Sequence, residues 1–234
     1  MEINYSVDLL RRDENERSHI RKELVLIQAE YDIKNCKVLE LGCGLGQNLS
    51  LFRHDNAVVG IEGLSSAVAQ ARSRGLTVFQ GDLEGKLDLE TGTADWVLCL
   101  DVLEHLSNPL GLLLEMRRIL RNGGRAIVNV PNHFDLSGRV KILLGHDLDV
   151  HRFFPQNHEW DNPHLRFFTH RGIRQLTKAA GFEVIEDRSS RIWLSMETSL
   201  RRLRRYLAQK SPAAFAPGFF LIIGKTAENA HGMV

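Results

Sequence analysis

Three glycines at alternate positions, Gly42, Gly44 and Gly46, follow directly on the apolar run Val38-Leu39-Glu40-Leu41. Nothing else in the chain restricts its fold as much. A short apolar run halted by glycines reads as a buried strand that passes through a tight turn into a helix. Residues without a Cβ turn through conformations closed to others and let a ligand approach the main chain. A cofactor is therefore expected against this loop. An ordinary strand-to-helix turn could use the same glycines, so the rest of the chain has to decide.

The charges around the loop bear on which cofactor it is. A dinucleotide site of the form G-x-G-x-x-G sets a pyrophosphate on the following helix N-terminus. Here Gln47 follows the third glycine, Lys and Arg are absent from Glu40 to Leu51, and Glu40 puts a carboxylate at the end of the strand. Such a loop suits a cation better than a phosphate. S-adenosylmethionine, with a sulfonium and an amino group, fits it better than NAD.

Composition narrows the remaining classes. A chain of 234 residues is one domain with room for a substantial core and an insertion. Its 30 basic and 29 acidic residues provide no global positive field, which argues against a nucleic-acid binder that works by bulk charge. Cys36, Cys43 and Cys99 are an odd number without C-x-x-C spacing and suit a reducing cytoplasm better than a disulfide framework or a zinc site. Asp8, Asp13, Glu14 and Glu16 stand where a signal peptide would be basic and then apolar, and no apolar run approaches the ~20 residues of a membrane span.

From Arg17 to Glu30, Ile20, Leu24 and Ile27 recur at helical spacing and predict an amphipathic helix over a sheet. Beyond the loop, strand and helix alternate. A helix is expected over Asn48–His54, a second strand over Ala57–Glu62, a helix over Ser66–Arg74 and a third strand over Leu76–Phe79. Glu62 lies about 20 residues past the first glycine, where an acid can hold ribose hydroxyls. The fourth strand, Asp95–Leu100, runs into Asp101-Val102-Leu103-Glu104-His105-Leu106. If that turn is helical, Asp101, Glu104 and His105 share one face at the strand's C-terminal end, where open parallel sheets bind ligands. His105 there is a candidate general base; the alternative is that the acid-histidine pair serves helix capping and loop packing. A helix from Asn108-Pro109 through Leu120 stops at Asn122-Gly123-Gly124, and Arg125–Val130 is the fifth strand.

Past Asn132 the periodicity fails, and residues 133–168 read as a substrate-binding insertion or lid. The segment carries His133, His146, His151, His158 and His164 without metal-ligand spacing, so solvent-facing loop histidines are expected. Thr169–Ala180 returns to a helix and Phe182–Glu186 to a strand. Ser199–Leu207 carries Leu200, Leu203 and Leu207 on one face among Arg201, Arg202, Arg204 and Arg205. Such a helix buries its leucines on the domain, the reading favoured here, or else lies on an anionic membrane, an alternative that would put peripheral membrane contact over residues 199–210. Phe219–Lys225 is the last strand, and residues 228–234 are expected to be a disordered tail.

The Glu40-x-Gly42-x-Gly44-x-Gly46 loop, Glu62, Gln80-Gly81-Asp82-Leu83, the Asp101 segment and Pro131-Asn132 together resemble a class I methyltransferase. The resemblance implies an α/β, Rossmann-like sheet of seven strands, mostly parallel with an antiparallel last strand and helices on both faces. It divides the chain into a helical cap (1–33), a cofactor-binding core (34–132), the lid (133–168) and the rest of the same domain (169–227). S-adenosylmethionine would lie against Gly42, Cys43, Gly44 and Gly46. Glu40, Glu62 and Asp82 would grip its amino, ribose and adenine ends, and Gly63, Leu83, Asp101, Val102 and His105 would complete the lining. The acceptor would be a small molecule or a lipid-linked hydroxyl, with His105 or His133 as base. Asp101-x-x-Glu104-His105 is similar to a stretch of ubiquinone-pathway O-methyltransferases in which two acids and a histidine hold a divalent metal; no metal ligand is assigned here, and a metal is not expected. Val78–Leu83, Val130-Pro131-Asn132, Arg139–Gly145 and Glu159–His164 look like the MetW-type branch, which implies an alternative role as a cofactor-binding subunit of a partner enzyme.

Overall fold

A computed structural model describes residues 18–146, 164–192 and 199–226. Seven strands, β1 (Lys37–Leu41), β2 (Ala57–Glu62), β3 (Val78–Gln80), β4 (Ala94–Leu100), β5 (Leu120–Pro131), β6 (Phe182–Asp187) and β7 (Gly218–Lys225), form one sheet in the order β3-β2-β1-β4-β5-β7-β6. Pairing is parallel from β3 through β5, and β7 runs antiparallel to both of its neighbours. The expected seven-stranded sheet with an antiparallel last strand is thus what forms. The order reverses between β1 and β4, which opens a crevice at their C-terminal ends.

Alternation along the strands builds a core on each face. Leu39, Leu41, Val97, Cys99 and Val128 point to one side, beneath Leu112, Leu113 and Met116 of α4 (Pro109–Ile119) and Ile173 of α6 (His170–Ala179). Val38, Trp96, Leu98, Ile127 and Phe220 point to the other, beneath Ile20, Leu24 and Ile27 of α1 (Ser18–Glu30). Burying those three α1 side chains contributes about 1.5–3 kcal/mol each, which is what holds a short amphipathic helix in place. Among the described residues, no helix is long and apolar enough to cross a membrane.

Four expectations are corrected. The helix after the glycine loop, α2, is only Gln47–Ser50, because the Asn56 side chain takes the carbonyls of Phe52 and Ile33 at 2.9 and 3.1 Å and turns the chain early. Leu120 belongs to β5 and pairs with Ala94; Arg121 to Gly124 then loop out before Arg125 pairs with Trp96. Residues 133–146 are not irregular: they contain α5 (Leu136–Leu143), whose N-cap Asp135 accepts from Gly138 N at 2.7 Å. In α7 (Ser199–Lys210), which a further short helix α8 (Pro212–Phe215) follows, Ala208 is the buried residue and Leu203 is exposed, so the leucines do not share a buried face. The expectations for residues 1–17, 228–234 and the histidines at 151 and 158 fall outside the described residues. So does the side chain of Leu200.

A buried arginine ties α1 to the sheet edge. Arg188 is 1% exposed and donates from Nη1 to Glu23 Oε1 at 2.9 Å and from Nη2 to Glu186 Oε2 at 2.7 Å, with Glu30 also bonded. Tyr31 donates its hydroxyl to Glu186 at 3.1 Å. Burial alone would raise the Glu186 pKa, but the donors Arg188 and Tyr31 outweigh it and hold the carboxyl below its ordinary value. Its contribution to stability is therefore complete above the ordinary carboxylate range and lost as pH falls through the lower folded value. Arg188→Leu leaves the almost fully buried Glu23 with only the more distant Arg191, 3.8 Å away, and should cost about 3–5 kcal/mol, read as a lower urea midpoint at unchanged slope. In the same variant the acid limb of the stability profile should be shallower than in the parent chain, so that the difference in stability between the two narrows as pH falls.

Candidate active site

The glycine loop closes by handedness and by packing together. Gly42, Gly44 and Gly46 have φ of 72°, 51° and 77°, a left-handed region that other residues enter at a cost. Gly42 N and Cys43 N both donate to the Ile61 carbonyl, at 2.8 and 3.1 Å, which binds the loop to β2. A Cβ on Gly42 would stand 2.5 Å from Val102 Cγ2, and one on Gly46 would stand 2.2 Å from Leu76 Cδ1. Gly44 N donates to Glu62 Oε2 at 2.8 Å, and Leu64 N to Glu62 Oε1 at 2.9 Å. A carboxylate has about four acceptor positions, so two backbone bonds leave Glu62 able to accept from a ligand.

The tips of β2 and β3 are joined as well. Gly81 N donates to the Glu62 carbonyl and Gln80 Nε2 to the Gly63 carbonyl, both at 3.1 Å, which brings Gly63 beside Gly81, the residue before Asp82. Asp82 is exposed and caps its own turn through Glu84 N at 2.9 Å.

The electrostatics of this edge are negative. Glu40 is 1% exposed and accepts from Asn48 Nδ2 at 3.1 Å. Burial first, then Glu40 and Glu62, push the Cys43 thiol far above its ordinary pKa. Burial, then Glu104, Asp101 and Glu40, do the same to Cys99. Two arginines absent from the local sequence window do reach the loop: Arg74 donates to the Leu45 carbonyl at 3.0 Å and Arg21 to Gln47 Oε1 at 3.4 Å. Both bonds fix neutral oxygens of the loop. The buried carboxylate beneath it and the free capacity of Glu62 fit the cationic and hydroxyl-bearing ends of S-adenosylmethionine.

The turn after β4 differs from the helical face drawn from spacing. Only Leu103–His105 forms a turn of 3₁₀-helix. Asp101 stands before it at φ 55°, with its N donating to the Asn129 carbonyl at 2.9 Å and its carboxylate taking the Asn129 amide. Asp101 is thereby turned toward β5, while Glu104, 1% exposed, and His105 join His164 instead. The ligand atoms of Glu104, His105 and His164 lie within 4.8 Å of one another, a set that could hold a divalent ion and that differs from the Asp101-Glu104-His105 set the sequence resemblance implies.

Three histidines converge here. His105 and His164 have ring centroids 4.9 Å apart, and His133 Nε2 lies 2.7 Å from His164 Nδ1. Phe167 packs its ring edge against His133 at 4.9 Å. The expectation of solvent-facing loop histidines is therefore corrected for His133 and His164, both half-buried, while His146 is exposed. The backbone explains the gathering: Leu165 N and Arg166 N donate to the Glu104 carbonyl at 2.7 and 2.9 Å, which pins the end of the lid on the turn after β4. Sequence reasoning singled out His105 and His133 but missed His164 as their link and Asn129 as the partner of Asp101. Neither has a local signal, because each contact joins residues about 30 or more positions apart.

This sheet order and this glycine loop are those of a methyltransferase. Residues 12–187 match a family described as the methyltransferase domain, and the chain belongs to that family. A protein of Mycolicibacterium smegmatis named "Probable S-adenosylmethionine-dependent methyltransferase" is 29% identical over 70% of this chain and 58% of its own. The ubiquinone biosynthesis O-methyltransferase of Xanthomonas oryzae pv. oryzae is 31% identical over 45% of this chain and 47% of its own. The chain thus spans about half the length of the curated relatives it matches. Among solved structures, a Haloferax volcanii complex of the Trm112 methyltransferase activator with a methyltransferase superimposes with a TM-score of 0.64 at 18% identity, covering 93% of both chains. A TehB-like SAM-dependent methyltransferase from Corynebacterium glutamicum does so at 0.56 and 15%, covering 88% and 87%. These two likenesses concern the fold.

Gly46→Ala tests the loop. Left-handed strain of about 1–2 kcal/mol and overpacking against Leu76 of about 1–3 kcal/mol should together remove about 2–5 kcal/mol of stability. The expected readout is a lower unfolding temperature together with weaker cofactor binding in titration calorimetry.

Proposed function

We propose that this chain transfers the methyl group of S-adenosylmethionine to a hydroxyl oxygen of a small-molecule or lipid-linked acceptor. The observation that carries this reading is the cluster of His105, His164 and His133 one short turn from Val102, the residue that packs on the glycine loop. When bound, S-adenosylmethionine supplies a methyl group on a positively charged sulfur. Glu40 would take the amino end, Glu62 the ribose hydroxyls and Asp82 the adenine end. Gly42, Cys43, Gly44, Gly46, Gly63, Leu83, Asp101 and Val102 would line the path between them. The three free thiols, Cys36, Cys43 and Cys99, suit a cytoplasmic setting.

The chain's own chemistry would then be alignment and proton removal. Holding acceptor and donor in line supplies most of the rate in a direct displacement. His105 would accept the hydroxyl proton. The Glu104 carboxylate, 3.9 Å from His105 Nε2, would stabilise the charge that the ring then carries. The bond from His164 to His133 offers that proton a route toward the lid.

The other reading, a cofactor-binding subunit that acts through a partner enzyme, leaves the histidine cluster without a task and is not favoured. Titration calorimetry should give binding of S-adenosylmethionine and none of NAD. His105→Ala should lower turnover by about 10²–10⁴-fold while leaving cofactor affinity nearly unchanged. An acceptor screen over quinol, sugar and lipid-linked hydroxyls, with and without magnesium, supplies the assay. Undiminished turnover in the variant removes His105 from the mechanism; failure to bind either cofactor moves the partner-subunit reading to first place.

A further inference from the structure

Helix α5 has no buried residue, although most of its side chains are apolar. Leu143 is 85% exposed and Leu144, just past its end, 71%; Leu136, Val140 and Ile142 are 40–49% exposed. Isolated helices shorter than about 12–15 residues are marginal in water, and burial of an apolar face is what normally stabilises them. A helix that, among the described residues, buries no side chain and shows four apolar ones, with Leu144 a fifth just past its end, is suited to being covered by something else.

Helix α7 extends the same surface. Arg204 Nη2 lies 3.1 Å from Asp135 Oδ2, the N-cap of α5, and Arg139 Nη2 donates to the Ala213 carbonyl of α8 at 3.3 Å. On α7, Leu203 and Tyr206 are 53% and 56% exposed. Neither helix contains Asp or Glu, while α5 carries Arg139 and Lys141, and α7 carries four arginines and Lys210. Among the described residues, Asp135 adjoins both helices and is already paired with Arg204.

We infer that α5 and α7 form a docking face for an anionic lipid bilayer, with the exposed leucines entering the acyl boundary and the arginines and lysines meeting the headgroups. Apolar side chains interspersed with basic ones are the pattern that such a surface binds. The fold sets this face beside the candidate active site. Because β7 is antiparallel, its first residue, Gly218, pairs with Pro131 at the end of β5, so α7 and α8 arrive at the ligand edge of the sheet. Asn132 donates to the Ala216 carbonyl at 2.8 Å, and His133 stands two residues before the α5 cap. A lipid-linked acceptor could then reach the histidine cluster from the bilayer, a consequence that rests on the proposed methyl transfer; the docking itself does not.

The test is co-sedimentation of the full chain, without cofactor, with phosphatidylcholine vesicles that contain or lack phosphatidylglycerol. Binding is expected only when phosphatidylglycerol is present, and it should weaken as salt rises. Each basic residue withdrawn from the surface should weaken it roughly fivefold, so Arg202→Glu/Arg205→Glu should abolish it. Leu143→Ser/Leu144→Ser should weaken binding at least about tenfold with the unfolding temperature unchanged. Absence of binding, or equal binding to both vesicles, overturns the inference. So does a fall in unfolding temperature in the leucine variant, which would mean that the chain itself, residues 147–163 for instance, covers those side chains. Loss of a dimer in that variant would assign the face to a second copy. Methyl-transfer assays on soluble acceptors are read separately, so failure of docking and failure of the proposed function remain distinguishable.

Discussion

Val102 closes on Gly42 and Leu76 on Gly46, two positions of the loop that carry no Cβ, and the ligand edge of the sheet is positioned from that double contact. Val102 against Gly42 sets where the chain leaves β4, and with it the turn that carries Glu104 and His105. Leu76 against Gly46 sets α3 (Ser65–Ser73) and the start of β3, and with them the approach to Asp82. The cofactor half and the acceptor half of the site are thus referred to the same few atoms. A methyl group added at either glycine would disturb both halves at once.

Crowding of carboxylates is the second constraint. Glu40, Glu62, Asp101 and Glu104 all stand near the C-terminal ends of β1, β2 and β4, where like charges repel one another. Backbone and amide donors offset part of that repulsion: Gly44 and Leu64 at Glu62, Asn48 at Glu40, Asn129 at Asp101. A cationic ligand relieves more of it. The fold therefore carries its preference for a positively charged cofactor in the protein itself. At the far edge of the sheet the sign is balanced differently, with Arg188 collecting three glutamates to hold α1.

The features that sequence conveyed well were those set by neighbours in the chain. The alternation of β1, β2 and β4, the glycine loop, the apolar stripe of α1 and the caps of α4 and α6 each depend on a few consecutive residues. What it conveyed poorly depends on distant pairing. Asn56 shortens α2 by reaching back to Ile33, and Asn129 takes Asp101 away from the face that its spacing suggested. His164 enters the site because Leu165 and Arg166 bond to the Glu104 carbonyl, about 60 residues earlier in the chain. Helix α5 is a different case: Leu136, Val140, Leu143 and Leu144 do stand at helical spacing, but the segment is short, and Ile142 falls outside that stripe.

The buried thiol at Cys43 has a consequence for chemistry unrelated to methyl transfer. Thiolates, not thiols, react with peroxides and disulfides, and burial beside two carboxylates keeps this sulfur protonated. Cys99, fully enclosed beneath the turn after β4, is silent for the same reason. The half-exposed Cys36 lies just before β1, at the opposite end of the strand from the glycine loop. Burial raises the Cys36 thiol as well, but of the three thiols it is the most accessible, so a thiol-directed oxidant would meet the protein first at the end of the sheet remote from the cofactor loop.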